Sequence, residues 1–218
     1  MEHLHYLHKS SEGPSKDCIV LLHGYGSSEE DLFGFARYLP KHLNVFSLRA
    51  PYSTGFSGFA WYAITFEADG TKWNDIKQAE DSIKTIKTEV DFLRKKYNLT
   101  GKVHLLGFSQ GCILSLALSY HYPDYFHSII GLSGYLNEEI LPSEIKSLPN
   151  THFYLSHGIE DQVIPVEWSQ YSAEKMKRQG LTVDYHNYPT GHQVHPDNFR
   201  DFLKFINLQA YRASHCSS

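Results

Sequence analysis

Short, continuously apolar runs alternate along this chain with stretches whose apolar residues recur every three or four positions. The alternation His3-Leu4-His5-Tyr6-Leu7-His8 predicts an edge strand, followed by a turn over 10–16. Cys18-Ile19-Val20-Leu21-Leu22 is apolar throughout and stops at His23-Gly24, the mark of a strand buried on both faces, as in parallel sheets. Ser28 followed by Glu29, Glu30 and Asp31 predicts a helix start, a capping hydroxyl ahead of first-turn carboxylates. That helix is expected to run to about Leu39 and stop at Pro40. A strand over 45–48 follows, ended by Pro51.

From 51 to 73 no period holds, and the stretch is rich in glycine and aromatic residues. A loop of that length inside a domain is usually functional. Steps of three and four then place Ile76, Ala79, Ile83, Ile86, Val90, Leu93 and Tyr97 on one face of a helix over 75–97, a plain packing helix. Strands are predicted over 103–108, 128–132, 153–156 and 183–188. Helices are predicted over 110–120, 167–179 (closed by Gly180) and 196–208 (with Pro196 in its first turn). Strand and helix alternate throughout. The fold class is therefore α/β, a mostly parallel sheet with helices on both faces and right-handed crossovers. Ligands in such folds sit at the carboxyl ends of the strands, so the residues after each strand carry the interest.

Composition narrows the function classes. The chain has 218 residues, 41% hydrophobic and 20% charged, as in ordinary globular domains, and no repeat or linker divides it. A single domain over 1–218 is expected, with 210–218 as a loose tail. The net charge of −4 argues against a nucleic-acid-binding surface. No apolar run approaches the roughly 20 residues of a membrane span. The first residues lack a basic start followed by an apolar stretch, so no signal peptide is expected. Cys18, Cys112 and Cys216 are too few and scattered for a disulfide framework. Together these predict a cytoplasmic protein without stable membrane insertion. Neither HExxH nor a strand-following GxGxxG occurs, so no metal and no dinucleotide cofactor are expected. His3, His5 and His8 do not make a metal cluster, since alternation puts only His3 and His5 on one face.

The strand over 103–108 runs into Gly107-Phe108-Ser109-Gln110-Gly111 and then a helix. A serine on so tight a strand–helix turn projects its Oγ from the sheet edge, beside the helix N-terminus. It needs a base, and the base needs an orienting acid, each after a later strand. The strand over 153–156 leads to His157-Gly158-Ile159-Glu160-Asp161, and the strand over 183–188 leads to Pro189-Thr190-Gly191-His192. Ser109, an acid at Glu160 or Asp161, and His192 thus fall in the required order at one sheet edge. His195, three residues on, reads as a capping or supporting residue. A hole for a developing oxyanion needs N–H donors. These are expected from Gln110 and from the loop His23-Gly24-Tyr25-Gly26, with Tyr25 the donor. In the aromatic loop, Phe56, Phe59, Trp61 and Tyr62 are candidate substrate-binding rings, and each is equally readable as core packing.

Several segments resemble those of the phospholipase/carboxylesterase family of small α/β-hydrolases, which includes acyl-protein thioesterases. They are Leu22-His23-Gly24-Tyr25-Gly26, Arg49-Ala50-Pro51, Ala60-Trp61-Tyr62, Gly107-Phe108-Ser109-Gln110-Gly111 and Leu132-Ser133-Gly134. His157 to Pro165 and Gly191-His192-Gln193-Val194 complete the set, in the family's order. The resemblance implies a single-domain α/β-hydrolase fold and a triad of Ser109, Asp161 and His192; Asp161 is favoured over Glu160 by its place before Val163-Ile164-Pro165. It implies oxyanion donors at Tyr25 and Gln110, no cofactor, and cleavage of carboxylic esters or protein thioesters. Tyr25, Cys112 and the bulky loop 53–59 depart from the usual pattern, leaving acyl-chain length open.

The leading expectation is a serine carboxylesterase acting on a small-molecule ester or acyl substrate. Acyl-protein thioesterase or lysophospholipase action on longer chains shares every catalytic residue. A non-catalytic binding protein on the same scaffold is the reading from another class. The aromatic loop is open to two roles, a lid and a homodimer surface, singly or together.

Overall fold

The computed structural model describes residues 3–55, 58–66, 72–145, 147–148 and 150–211. Its centre is a seven-stranded sheet. In chain order the strands are β1 (Tyr6–Lys9), β2 (Cys18–Leu22) and β3 (Asn44–Leu48), then four short strands outside the sheet. Those are β4 (Tyr52–Ser53) with β5 (Phe59–Ala60), and β6 (Ile64–Phe66) with β7 (Lys72–Asn74), two antiparallel strand pairs in the stretch that showed no period. Strands this short bury too little to leave a pattern in sequence. The sheet resumes with β8 (Val103–Phe108), β9 (Ser128–Leu132), β10 (His152–Gly158) and β11 (Thr182–Tyr188). Its order is β1-β3-β2-β8-β9-β10-β11, parallel except for β1, which pairs antiparallel with β3 at the edge.

The helices are α1 (Glu29–Phe33), α2 (Ile76–Lys96), α3 (Gln110–His121), α4 (Val166–Arg178) and α5 (Pro196–Tyr211). β2, β3 and β9 are buried along their whole length, β2 as an unbroken apolar run and the other two with the buried polar residues Asn44, Ser47 and Ser128 among their apolar ones. One core joins the sheet to α2, α3 and α4 through Ile83, Ile86, Leu114 and Met176; the other joins it to α1 and α5 through Leu32, Phe202 and Ile206. Helices therefore cover both faces.

Three expectations need correction. Helix α1 ends at Phe33 rather than near Leu39. From Gly34 onward the chain closes short i→i+3 turns, Phe35 N–H to Leu32 O and Ala36 N–H to Phe33 O, which bring Ala36 and Leu39 into the core without a regular helix. His3 and His5 precede β1, so strand alternation does not govern them. His3 meets Glu89 of α2 at 3.0 Å, whereas His5 meets Glu29 of α1 at 3.2 Å, in different layers. Helix α5 continues through Ala210 to Tyr211, inside the segment read as a tail; 212–218, with Cys216, lies outside the described residues. Cys18 and Cys112 are buried free thiols, and burial pushes Cys112 up to about 12.

Candidate active site

Ser109 sits between β8 and α3 with φ 53° and ψ −116°. A side chain in that region is strained, and the surroundings must impose it. They do so by packing. A Cβ at Gly111 would run into the Leu22 carbonyl of β2, and one at Gly107 into the Gly111 carbonyl. Only glycine lets β8, α3 and β2 approach so closely. Ser109 N–H donates to Leu132 O at 2.8 Å, which ties the turn to β9.

The acid and histidine loops leave β10 and β11, adjacent parallel strands in register from His152↔Thr182 to Gly158↔Tyr188. Backbone bonds stitch the loops together: Ile159 N–H to Tyr188 O at 2.9 Å and Glu160 N–H to Thr190 O at 3.0 Å. Glycine at 158 permits this contact, because a Cβ there would strike the Thr190 and Gly191 carbonyls. The result brings three side chains into line. His192 Nε2 lies 2.9 Å from Ser109 Oγ, and His192 Nδ1 lies 2.7 Å from Asp161 Oδ2. Asp161 is the acid in contact, while Glu160 is exposed. The other oxygen of Asp161 accepts N–H bonds from Val163 at 2.8 Å and Ile164 at 3.0 Å. Burial alone would raise the Asp161 pKa; the bonds from the Ile164 N–H, His192 and the Val163 N–H outweigh it and hold the carboxyl below its ordinary value. An ionised Asp161 accepts the Nδ1–H of His192, which leaves Nε2 bare to accept the serine proton. The Asp161 side chain is sealed at 0% exposure while that of His192 keeps 19%.

The loop after β2 lies against Ser109: a Cβ built on Gly24 would stand 3.3 Å from Ser109 Cβ. His23, fully buried, braces it by accepting Ala50 N–H at Nε2 (3.1 Å) and donating Nδ1–H to Gly24 O (2.7 Å). Burial pushes His23 down, in keeping with this neutral tautomer. Gln110, also buried, spans to the aromatic segment. Its Oε1 accepts Trp61 N–H and its Nε2 donates to Tyr62 O, both at 2.8 Å.

A cavity of about 270 Å³ opens on Ser109, Gln110 and His192. Tyr25, Tyr62 and Tyr135 give it phenol rings, and Ile113, Val163 and Ile164 give it aliphatic walls; Ile64, Asn74 and Trp168 complete it. His192 is its one titratable imidazole, and no carboxylate, ammonium or guanidinium lines it among the described residues. A larger hollow of about 500 Å³ around Arg94, Lys102 and Tyr125 contains none of the residues at Ser109.

Of the four predicted substrate-binding rings, Tyr62 lines this cavity. Trp61 does not: it is fully buried, and its indole N–H donates to His23 O at 2.9 Å, bracing the Gly24 loop from within. Phe59 does not either. Its ring lies under the Arg49 guanidinium at 4.6 Å, and its backbone bonds to Gly26 and Ser27. Phe56 lies outside the described residues. His195 accepts Asp197 N–H at 3.2 Å at the start of α5, a capping contact. Tyr135 and Trp168, packed edge to face at 5.0 Å, were missed by sequence reasoning. Tyr135 follows Leu132-Ser133-Gly134, a strand-end segment where a lining residue belongs, and Trp168 opens the helix after the acid loop. Among the described residues no helix is long and apolar enough to cross a membrane, and no three metal-ligating side chains gather.

Comparison with known proteins agrees with this architecture. The family model described as Phospholipase/Carboxylesterase matches residues 7–210. Acyl-protein thioesterase 1 of Emericella nidulans is 28% identical over 211 residues, covering 87% of this chain and 88% of that protein. Acyl-protein thioesterase 1 of Aspergillus fumigatus is 33% identical over 114 residues, 48% of this chain and 46% of that protein. The crystal structure of esterase PE8 superposes with a TM-score of 0.85 at 26% identity, covering 95% of this chain and 99% of that one. Zea mays acyl-protein thioesterase 2 gives a TM-score of 0.74 at 22% identity over 95% of this chain and 99% of that one, a likeness of fold. With the family model spanning nearly the whole chain, this protein belongs to the phospholipase/carboxylesterase family of α/β-hydrolases.

Proposed function

We propose that this protein is a serine carboxylesterase that works through an acyl-enzyme. The contact chain Ser109 Oγ to His192 Nε2 (2.9 Å) to Asp161 Oδ2 (2.7 Å) carries the proposal. Ser109 Oγ attacks the ester carbonyl carbon as His192 Nε2 takes the hydroxyl proton. The carbonyl electrons move onto oxygen, which the backbone N–H groups of Tyr25 and Gln110 receive; each such donor is typically worth about 10²–10³ in rate. The oxyanion collapses, the ester C–O bond breaks, and the alcohol leaves with the proton from His192. Water then attacks the acyl-serine and gives its proton to His192. The acid departs and Ser109 regains its hydrogen. Asp161, held ionised, keeps His192 in the useful tautomer and stabilises its charged form.

The cavity supports uncharged acyl groups of modest size. It has no carboxylate or cation among its described lining residues, and about 270 Å³ lies just below the roughly 300–1,000 Å³ usual for ligand sites. A second reading, thioester or lysophospholipid cleavage with longer chains, is favoured by one observation. Tyr25, Val163 and Trp168, all cavity-lining, are 44–48% exposed and extend an apolar rim outward from the mouth.

Hydrolysis of p-nitrophenyl esters from acetyl to palmitoyl, with palmitoyl thioesters alongside, separates the two readings. The proposal expects rates that peak at short acyl groups and vanish in Ser109→Ala. A rise towards palmitoyl moves the assignment to the second reading. Undiminished turnover in Ser109→Ala overturns both.

A further inference from the structure

The reaction proposed above uses neither of two buried imidazoles near the site: His23, which braces the Gly24 loop, and His157. His157 stands near the end of β10, four residues before Asp161, with its side chain wholly buried. Its Nε2 lies 2.9 Å from the Ile164 carbonyl and 3.1 Å from Asp161 Oδ2. Both neighbours are acceptors, so Nε2 carries a proton. Burial pushes the imidazole pKa down, which leaves the ring neutral.

The oxygen that His157 faces, Oδ2, is the one that receives Nδ1–H of His192. Ile164 is gripped at both ends: its N–H by Asp161 Oδ1, its C=O by His157. The acid loop, its carboxylate and the end of β10 thus form one bonded unit. The titratable groups facing His157 are Asp161 and His192.

We propose that His157 is a positioning residue for the hydrolytic site, its Nε2–H fixing the acid loop through Ile164 and sharing the Asp161 oxygen that orients His192. It touches no substrate and acts through Asp161. A space-filling role predicts something different: any ring of similar size would serve as well.

The inference rests on the hydrolytic reading, and its test compares kcat and KM against pH for wild type, His157→Phe and His157→Gln. Loss of the N–H in His157→Phe is expected to lower kcat by about 10–100-fold with KM nearly unchanged. It is also expected to move the acid limb of kcat/KM to higher pH, because a less satisfied carboxylate favours the charged His192. His157→Gln, which restores an N–H at similar reach, is expected to recover most of kcat and return the limb towards wild type. Equal losses in the two variants, or an unmoved limb in His157→Phe, overturn the proposal. Where the variants do not fold, nitrogen-15 NMR of the wild-type imidazole decides without substrate. His157 is expected to be neutral and Nε2-protonated at neutral pH, and an Nδ1–H tautomer or a charged ring there overturns the proposal. Ser109→Ala turnover separately tests the hydrolytic reading, so the two failures are distinguishable.

Discussion

Ser109 Oγ reaches His192 Nε2 at 2.9 Å only because the serine backbone is held at φ 53°, a region that disfavours side chains. Such strain is worth about 1–3 kcal/mol and persists because β2, β8 and α3 enforce it. Replacing Ser109 by glycine removes both hydroxyl and strain. Ser109→Gly is expected to lose about 10⁴–10⁶ in kcat and to gain about 1 kcal/mol in urea unfolding. Ser109→Ala is expected to lose the same activity without the gain. A glycine variant no more stable than the alanine variant would mean the turn is not strained.

Asp161→Asn tests the tautomer argument. The asparagine keeps its size, but its amide can present an N–H to Nδ1 of His192 and leave the proton on Nε2, pointing at the serine. A kcat loss of about 10³–10⁴ with intact folding is expected, measured on a short-chain p-nitrophenyl ester.

The same carboxylate carries a pH signature. Its pKa is lowered in the folded protein, so the stability it contributes is present above the unfolded carboxylate value and is lost as pH falls through the lower folded value. Thermal unfolding of wild type and Asp161→Asn is therefore expected to show a wild-type advantage that is full at neutral pH and shrinks in acid, below about pH 4. An advantage independent of pH would contradict the sign.

Gln110 is buried and bonded to Trp61 N–H and Tyr62 O. Gln110→Leu is expected to leave both backbone groups unpaired and cost about 1–3 kcal/mol in stability. Because the Gln110 N–H remains, hydrolysis in the folded fraction is expected to fall less than in Ser109→Ala. Denaturant unfolding with active-site titration checks both parts.

The strands legible in sequence were those buried on both faces. Ser128–Leu132 and Val103–Phe108 were located to the residue, since short, mostly apolar runs bounded by turns read as buried strands even with Ser128 or His104 among them. The order Ser109, Asp161, His192 was legible because each follows a strand. What sequence could not carry was side-chain direction within the aromatic stretch. Trp61 and Tyr62 are neighbours, yet the first braces the Gly24 loop and the second lines the cavity, a distinction set by Gln110 bonding that segment from 48 and 49 residues away. The early end of α1 was hidden for a similar reason. Leu32, Ala36 and Leu39 keep helical spacing, while the chain buries them through successive turns.

Trp168 closes one side of the cavity and is about half exposed. Trp168→Ala is expected to widen the site and raise kcat/KM for long-chain relative to short-chain esters. The ratio of palmitoyl to butyryl ester hydrolysis reads this directly, and a ratio unchanged from wild type would place the acyl chain elsewhere.

In the proposed reaction Ser109 is the nucleophile. The most direct test is fluorophosphonate labelling of the folded wild-type protein, followed by peptide mass mapping. One covalent adduct is expected, on Ser109, that fails to form in Ser109→Ala and slows in His192→Ala. No adduct on the folded protein, or an adduct on another residue, would contradict it.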